Sequence, residues 1–158
     1  MINISYNVDH NKWNKHFPLY KKYISKTVMT TLNIVQKNSK DDLAIDFLLT
    51  SNKNIKKLNY KYRNANKPTN VLSFPMMSIY DGTKFLGDIA LALETLQKES
   101  KIVKVSKYDY LCKMTAHGML HLLGYDHETE KQFIQMSELE SQILLKIKKW
   151  LKIWLIQF

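Results

Sequence analysis

The stretch His117-Gly118-Met119-Leu120-His121-Leu122-Leu123-Gly124-Tyr125-Asp126-His127 constrains this chain more than any other. Apolar residues dominate from Lys107 to Leu123, which predicts a buried helix over that range. Histidines four apart on a helix share one face, one turn from each other. For His127 to join them the helix must stop first. Gly124 stands where the stop is needed and tolerates the left-handed conformation that makes it. Three neutral imidazoles can reach one divalent ion at about 2.0–2.1 Å and leave a fourth tetrahedral position open, as catalytic zinc sites do. Three of the five histidines fall in this stretch, so chance is a poor account of the spacing. The expected cofactor is one divalent metal ion, Zn2+ foremost, although imidazoles also suit nickel, copper and iron. His10 and His16 have no such partners and read as surface or packing residues.

The rest of the chain supplies a scaffold. Ile2, Ile4, Tyr6 and Val8 alternate with polar residues, as do Leu43, Ile45, Phe47 and Leu49, so both segments read as half-buried strands. Residues Phe17 to Lys37 have helical spacing, and Ser51 can cap a helix that runs to Arg63. Val71 to Phe74 reads as a short strand ended by Pro75, and Asp81-Gly82 as a turn. A fourth strand is expected over Phe85–Leu93, where Gly87 marks a bulge or a close approach to the backbone. Helices follow at Glu94 to Lys101, at Lys107 to Leu123 and at Glu128 to Lys149. This order predicts one α+β domain over residues 1–158, with a mixed, roughly four-stranded sheet. The metal site falls on a helix of the C-terminal half and the turn after it. Residues 150–158 form a basic apolar tail that extends the last helix onto the body, or else lies on a partner or a membrane surface.

Composition narrows the setting. With Cys112 the single cysteine, an internal disulfide and a cysteine-cluster metal site are both excluded. The start of the chain shows no signal-peptide pattern and no apolar run is long enough to span a bilayer, so a cytoplasmic location is expected. The formal net charge of +10 attracts polyanions, nucleic acid foremost, although a Lys- and Asn-rich coding bias gives the same charge. Of 24 basic residues only Arg63 is arginine. Lysine serves wherever a solvated charge suffices, but not where a planar fork must grip a phosphate or carboxylate. Arg63 is therefore a candidate for a specific anion contact, or for a structural ion pair.

The histidine spacing matches the metzincin protease pattern H-E-x-x-H-x-x-G-x-x-H, except that Gly118 stands where the general-base Glu belongs. Glycine accepts no proton, so that mechanism is closed. The chain instead resembles the bacterial endoribonuclease YbeY family of rRNA maturation factors. The resemblance rests on His117-Gly118-x-x-His121-Leu-x-Gly124-Tyr125-Asp126-His127, on Tyr62-Arg63 with Lys67-Pro68-Thr69-Asn70-Val71-Leu72-Ser73-Phe74-Pro75, and on Leu86-Gly87-Asp88-Ile89. It implies a single α+β domain and a zinc-dependent endoribonuclease directed at single strands. It further implies a role in 16S rRNA 3′-end maturation and ribosome quality control, with RNA and the ribosome as partners. His117, His121 and His127 carry over as metal ligands and Arg63 as the functional arginine.

Other residues have two readings. Asp126 orients an imidazole or shapes its own turn. Ser73 and Thr69 contact phosphate or shape loops, and Asp88 is a buried partner for a ligand or for Arg63. Met114, Met119, Leu120, Leu122 and Leu123 belong to the core. Two competing functions are a metalloprotease-like hydrolase on the same tripod and a non-catalytic ribosome-binding factor with a structural metal.

Overall fold

The computed structural model describes residues 1–36 and 41–156, the last five by their backbone alone. The alternating segments become the strands β1 (Ile2–Val8) and β2 (Asp42–Thr50). β2 buries Leu43, Ile45, Phe47 and Leu49 while Asp46 faces solvent, which is the one-sided burial that an alternating sequence demands. Strands β3 (Val71–Tyr80) and β4 (Thr83–Ala92) form a hairpin through Asp81 and Gly82, both at positive φ as a tight primed turn requires. The sheet order is β1-β2-β4-β3, with β1/β2 and β2/β4 parallel and β3/β4 antiparallel. Parallel neighbours need crossovers. The chain makes the first through α1 (Lys12–His16) and α2 (Tyr20–Val35), and the second through α3 (Asn52–Arg63) and β3. After the sheet come α4 (Leu93–Ile102), α5 (Lys107–Leu122) and α6 (Glu130–Ile156). The α+β class with a mixed four-stranded sheet is thus as expected.

Helix α5 lies between two apolar clusters. Its Leu111, Met114, Met119 and Leu122 join Trp13, Phe17, Ile24, Phe47 and Ile89 in the main core against the sheet. Its Cys112, Ala116 and Leu120 meet Met136, Ile143 and Ile147 of α6. Each buried Leu, Ile, Phe or Met among them contributes about 1.5–3 kcal/mol by leaving water. The ligand-bearing helix is therefore held on both sides.

Some boundaries differ from expectation. The helix expected from Phe17 starts at Tyr20, and an unforeseen short helix precedes it. Pro18 separates the two: the residue before a proline is pushed out of the helical region, and Phe17 has φ −130° and ψ 60°. The expected end of that helix, Lys37, lies outside the described residues. Strand β3 continues past Pro75 to Tyr80 because β3 is an edge strand and its register against β4 shifts between Pro75 and Ser78. Edges and bulges are where a strand accepts proline. Opposite Pro75, Gly87 has φ +131°, and a Cβ there would stand 2.2 Å from the Phe74 carbonyl oxygen, which is the close approach its position suggested. The tail extends the last helix, as the first of its readings has it: α6 passes Lys149 without a break to Ile156. The ammonium groups of Lys22 and Lys26 sit 5.5 and 5.1 Å from the Trp150 ring centre. Residues 157 and 158 of the expected tail lie outside the described residues. No helix among the described residues is long and apolar enough to cross a membrane.

Candidate metal centre

Ser106 caps α5 by accepting a hydrogen bond from the Asp109 amide at 3.0 Å. The other end closes at Gly124, whose φ of +88° lets the Tyr125 amide return to the Leu120 carbonyl at 2.9 Å. That turn swings His127 back over the helix. One ligand atom from each of His117, His121 and His127 falls within 4.8 Å of the others, so the three can hold one metal ion.

Hydrogen bonds fix how two of the rings face the centre. His117 Nδ1 lies 2.7 Å from Glu140 Oε1 on α6, and His121 Nδ1 lies 3.1 Å from the Tyr125 carbonyl oxygen. Both partners only accept, so each Nδ1 carries the proton and each Nε2 presents a lone pair. The two Nε2 atoms stand 3.1 Å apart. Two lone pairs at that distance repel unless a cation lies between them, whereas two nitrogens on one tetrahedral zinc are about 3.3 Å apart. Burial, and then the neighbouring His117 and His127, push the His121 pKa below its ordinary value, which favours the neutral ligand form. The donor chemistry therefore fits a divalent ion bound by imidazole.

The tripod opens into a cleft of about 470 Å³ that Arg63, Ser73 and Pro75 also line. Arg63 is the last residue of α3, where Asn64 adopts φ +55° and turns the chain away. Asn59 Nδ2 donates to the Lys67 carbonyl at 2.8 Å and pins the loop that follows. Among the described residues no carboxylate pairs with the Arg63 guanidinium, so a structural ion pair does not explain it. A side chain at position 118, such as the protease-type Glu, would crowd its neighbours. A Cβ there would already lie 3.0 Å from both Ile89 Cδ1 and Ser73 Oγ.

The remaining expected residues separate. Asp126 Oδ1 accepts from the His127 amide at 2.8 Å and stands 4.0 Å from His121 Nδ1, so it shapes the turn beside the ligand. Thr69 is half-buried and outside this cleft. The suggested partnership of Asp88 with a ligand or with Arg63 is not found. β4 turns Ile89 toward α5, so Asp88 points to the opposite face of the sheet, into a separate depression with Tyr62 and Phe74. Burial, then Asp46 on the next strand, raise its pKa. His10 Nε2 lies 3.3 Å from Glu94, and the His16 carbonyl accepts from Lys107, both away from the tripod.

Glu140 was not anticipated. A signal existed: Met136, Glu140, Ile143 and Ile147 follow one helical stripe, and a carboxylate among core positions calls for a partner.

Comparison with known proteins places the chain in a family. The family model described as Endoribonuclease YbeY matches residues 7–148. A protein from Bartonella bacilliformis named Endoribonuclease YbeY is 40% identical over 153 residues, covering 93% of this chain and 94% of that protein. A protein of the same name from Buchnera aphidicola is 38% identical, covering 93% and 90%. Among solved structures, the solution structure of a Thermotoga maritima protein shares the fold with a TM-score of 0.51, at 23% identity over 94% of this chain and 93% of that one. With the model and full-length relatives in agreement, the chain belongs to the endoribonuclease YbeY family.

Proposed function

We propose that this protein is a zinc-dependent endoribonuclease that cuts single-stranded RNA in the cytoplasm and acts in 16S rRNA 3′-end maturation and ribosome quality control. Family membership supports the RNA-cleaving activity. One observation supports metal-assisted chemistry on a phosphate: three imidazole nitrogens converge in a cleft that is also lined by an arginine without a carboxylate partner.

His117, His121 and His127 hold the ion, and Glu140 and the Tyr125 carbonyl keep the first two rings in the ligating tautomer. When bound, a divalent ion supplies Lewis acidity and a more acidic bound water. Arg63 grips the scissile phosphate with its planar fork and offsets the charge that grows on it. The net charge of +10 gathers RNA without regard to sequence and with strong salt dependence. The attacking group is water or the RNA 2′-hydroxyl. A 2′,3′-cyclic phosphate product would exclude water as the first attacker. The protease reading loses support because residue 118 is glycine, which supplies no base, and a side chain there would crowd Ile89 and Ser73.

The test compares metal-loaded wild type with His121→Ala, purified identically, on a single-stranded RNA. Cleavage by the wild type alone is expected. Equal cleavage by both would overturn the reading.

A further inference from the structure

Ser73 stands on the edge strand β3 and lines the cleft with the three imidazoles and Arg63. Several hydroxyls in the chain have local partners: Thr27, Thr31 and Ser141 each return to a helix carbonyl at 2.8 or 2.9 Å, whereas those of Thr50 and Thr115 are unpaired but buried away from the cleft lining. The Ser73 hydroxyl has none among the described residues, although the backbone at Ser73 is paired with Ile89 in the sheet. It is half-buried, positioned by a paired strand and free to serve a molecule in the cleft.

Its place also carries meaning. Ser73 Oγ lies 3.0 Å from where a Cβ on residue 118 would be, so the hydroxyl comes close because Gly118 has no side chain. In the protease pattern that position bears a carboxylate, which suits a neutral peptide and a water to be deprotonated. A phosphodiester is an anion. A carboxylate at that point would repel it, whereas a hydroxyl can donate to it. The lining at Ser73 is thus neutral and able to donate, in a cleft that holds the cationic Arg63 and, near His127, the carboxylates of Asp126 and Glu128.

We propose that Ser73, in the space left by Gly118, is the phosphate-selecting residue of this cleft: its hydroxyl donates a hydrogen bond to a non-bridging oxygen of the phosphodiester held by Arg63 and the metal centre. The inference rests on the endoribonuclease reading for its substrate, and its geometry rests on Ser73 and Gly118 alone. A neutral donor to a charged acceptor makes a difference of about 10- to 100-fold in affinity.

The experiment uses the full chain as wild type, Ser73→Ala, Ser73→Asp and Ser73→Asn. Bound zinc and thermal midpoint are measured first, to establish that each variant is folded and loaded. Inorganic phosphate is then titrated calorimetrically into each, and single-turnover cleavage of a single-stranded RNA is followed. Ser73→Ala should bind phosphate about 10- to 100-fold more weakly with its zinc content unchanged. Ser73→Asp should bind more weakly still, and the equally sized, neutral Ser73→Asn should fall well above it. RNA cleavage should follow the same order. Wild-type affinity in Ser73→Ala, equal affinity in the Asp and Asn variants, or no phosphate binding by the wild type would each overturn the inference. If the wild type binds phosphate with this Ser73 dependence but cuts no RNA, the endoribonuclease reading fails and the role of Ser73 stands. If the wild type cuts RNA and Ser73→Ala matches it in binding and cleavage, the inference alone fails.

Discussion

Replacing Glu140 by leucine should push metal affinity and metal-free stability in different directions. The 2.7 Å contact from His117 Nδ1 to Glu140 lies in the charge-assisted range, and the carboxylate is only 16% exposed, so solvent screens it little. Without it, the His117 ring loses the acceptor that keeps its proton on Nδ1. Outer partners of this kind typically contribute 10- to 100-fold to metal affinity, about 1.4–2.7 kcal/mol. The metal-free protein responds otherwise. Position 140 shares the apolar stripe of α6 with Met136, Ile143 and Ile147, and a well-packed leucine there is neutral or stabilising relative to a half-satisfied carboxylate. The stabilisation that zinc confers grows with the logarithm of its concentration over its dissociation constant, so the zinc-induced rise in thermal midpoint should shrink by roughly 3–10 °C. Scanning calorimetry with and without zinc reads both effects, and chelator competition gives the affinity directly. A metal-free midpoint equal to or above wild type, with a smaller zinc shift, is expected. A zinc shift equal to wild type within about a degree would refute the claim that Glu140 orients the ligand.

Two further outcomes follow from the geometry. Gly87→Ala places a Cβ 2.2 Å from a backbone oxygen at φ +131°, so backbone must move, and urea unfolding should show a loss of about 3 kcal/mol or more. The depressed pKa of His121 means that the unfolded metal-free chain takes up its proton first as acidity rises. Its contribution to stability is then complete above about pH 6.5 and is lost as pH falls toward the folded value, and a midpoint that rose on acidification in wild type relative to His121→Ala would contradict that sign.

The residues themselves show what was legible. β1 and β2 announced themselves because burial of one sheet face writes a period of two into the sequence. Gly124 was legible because a ligand on either side of it requires a left-handed turn. Pro18 and Pro75 misled in opposite senses. The first split a segment whose apolar spacing looked continuous, and the second was tolerated because β3 is an edge, a fact that belongs to the sheet order and not to the local sequence. Asp88 was misplaced for the same reason, since only the pairing decides which face a strand residue takes. Glu140 lies 23 residues beyond His117, and spacing along one helix cannot reveal a partner on the next.

Helix α5 lends one side to the sheet, another to α6, and a third to the tripod. Two of the three candidate ligands and part of the interior wall thus belong to one helix. Any loosening that lets α5 shift on the sheet moves His117 and His121 together relative to Arg63, so a disturbance of the interior should be felt at the centre as well.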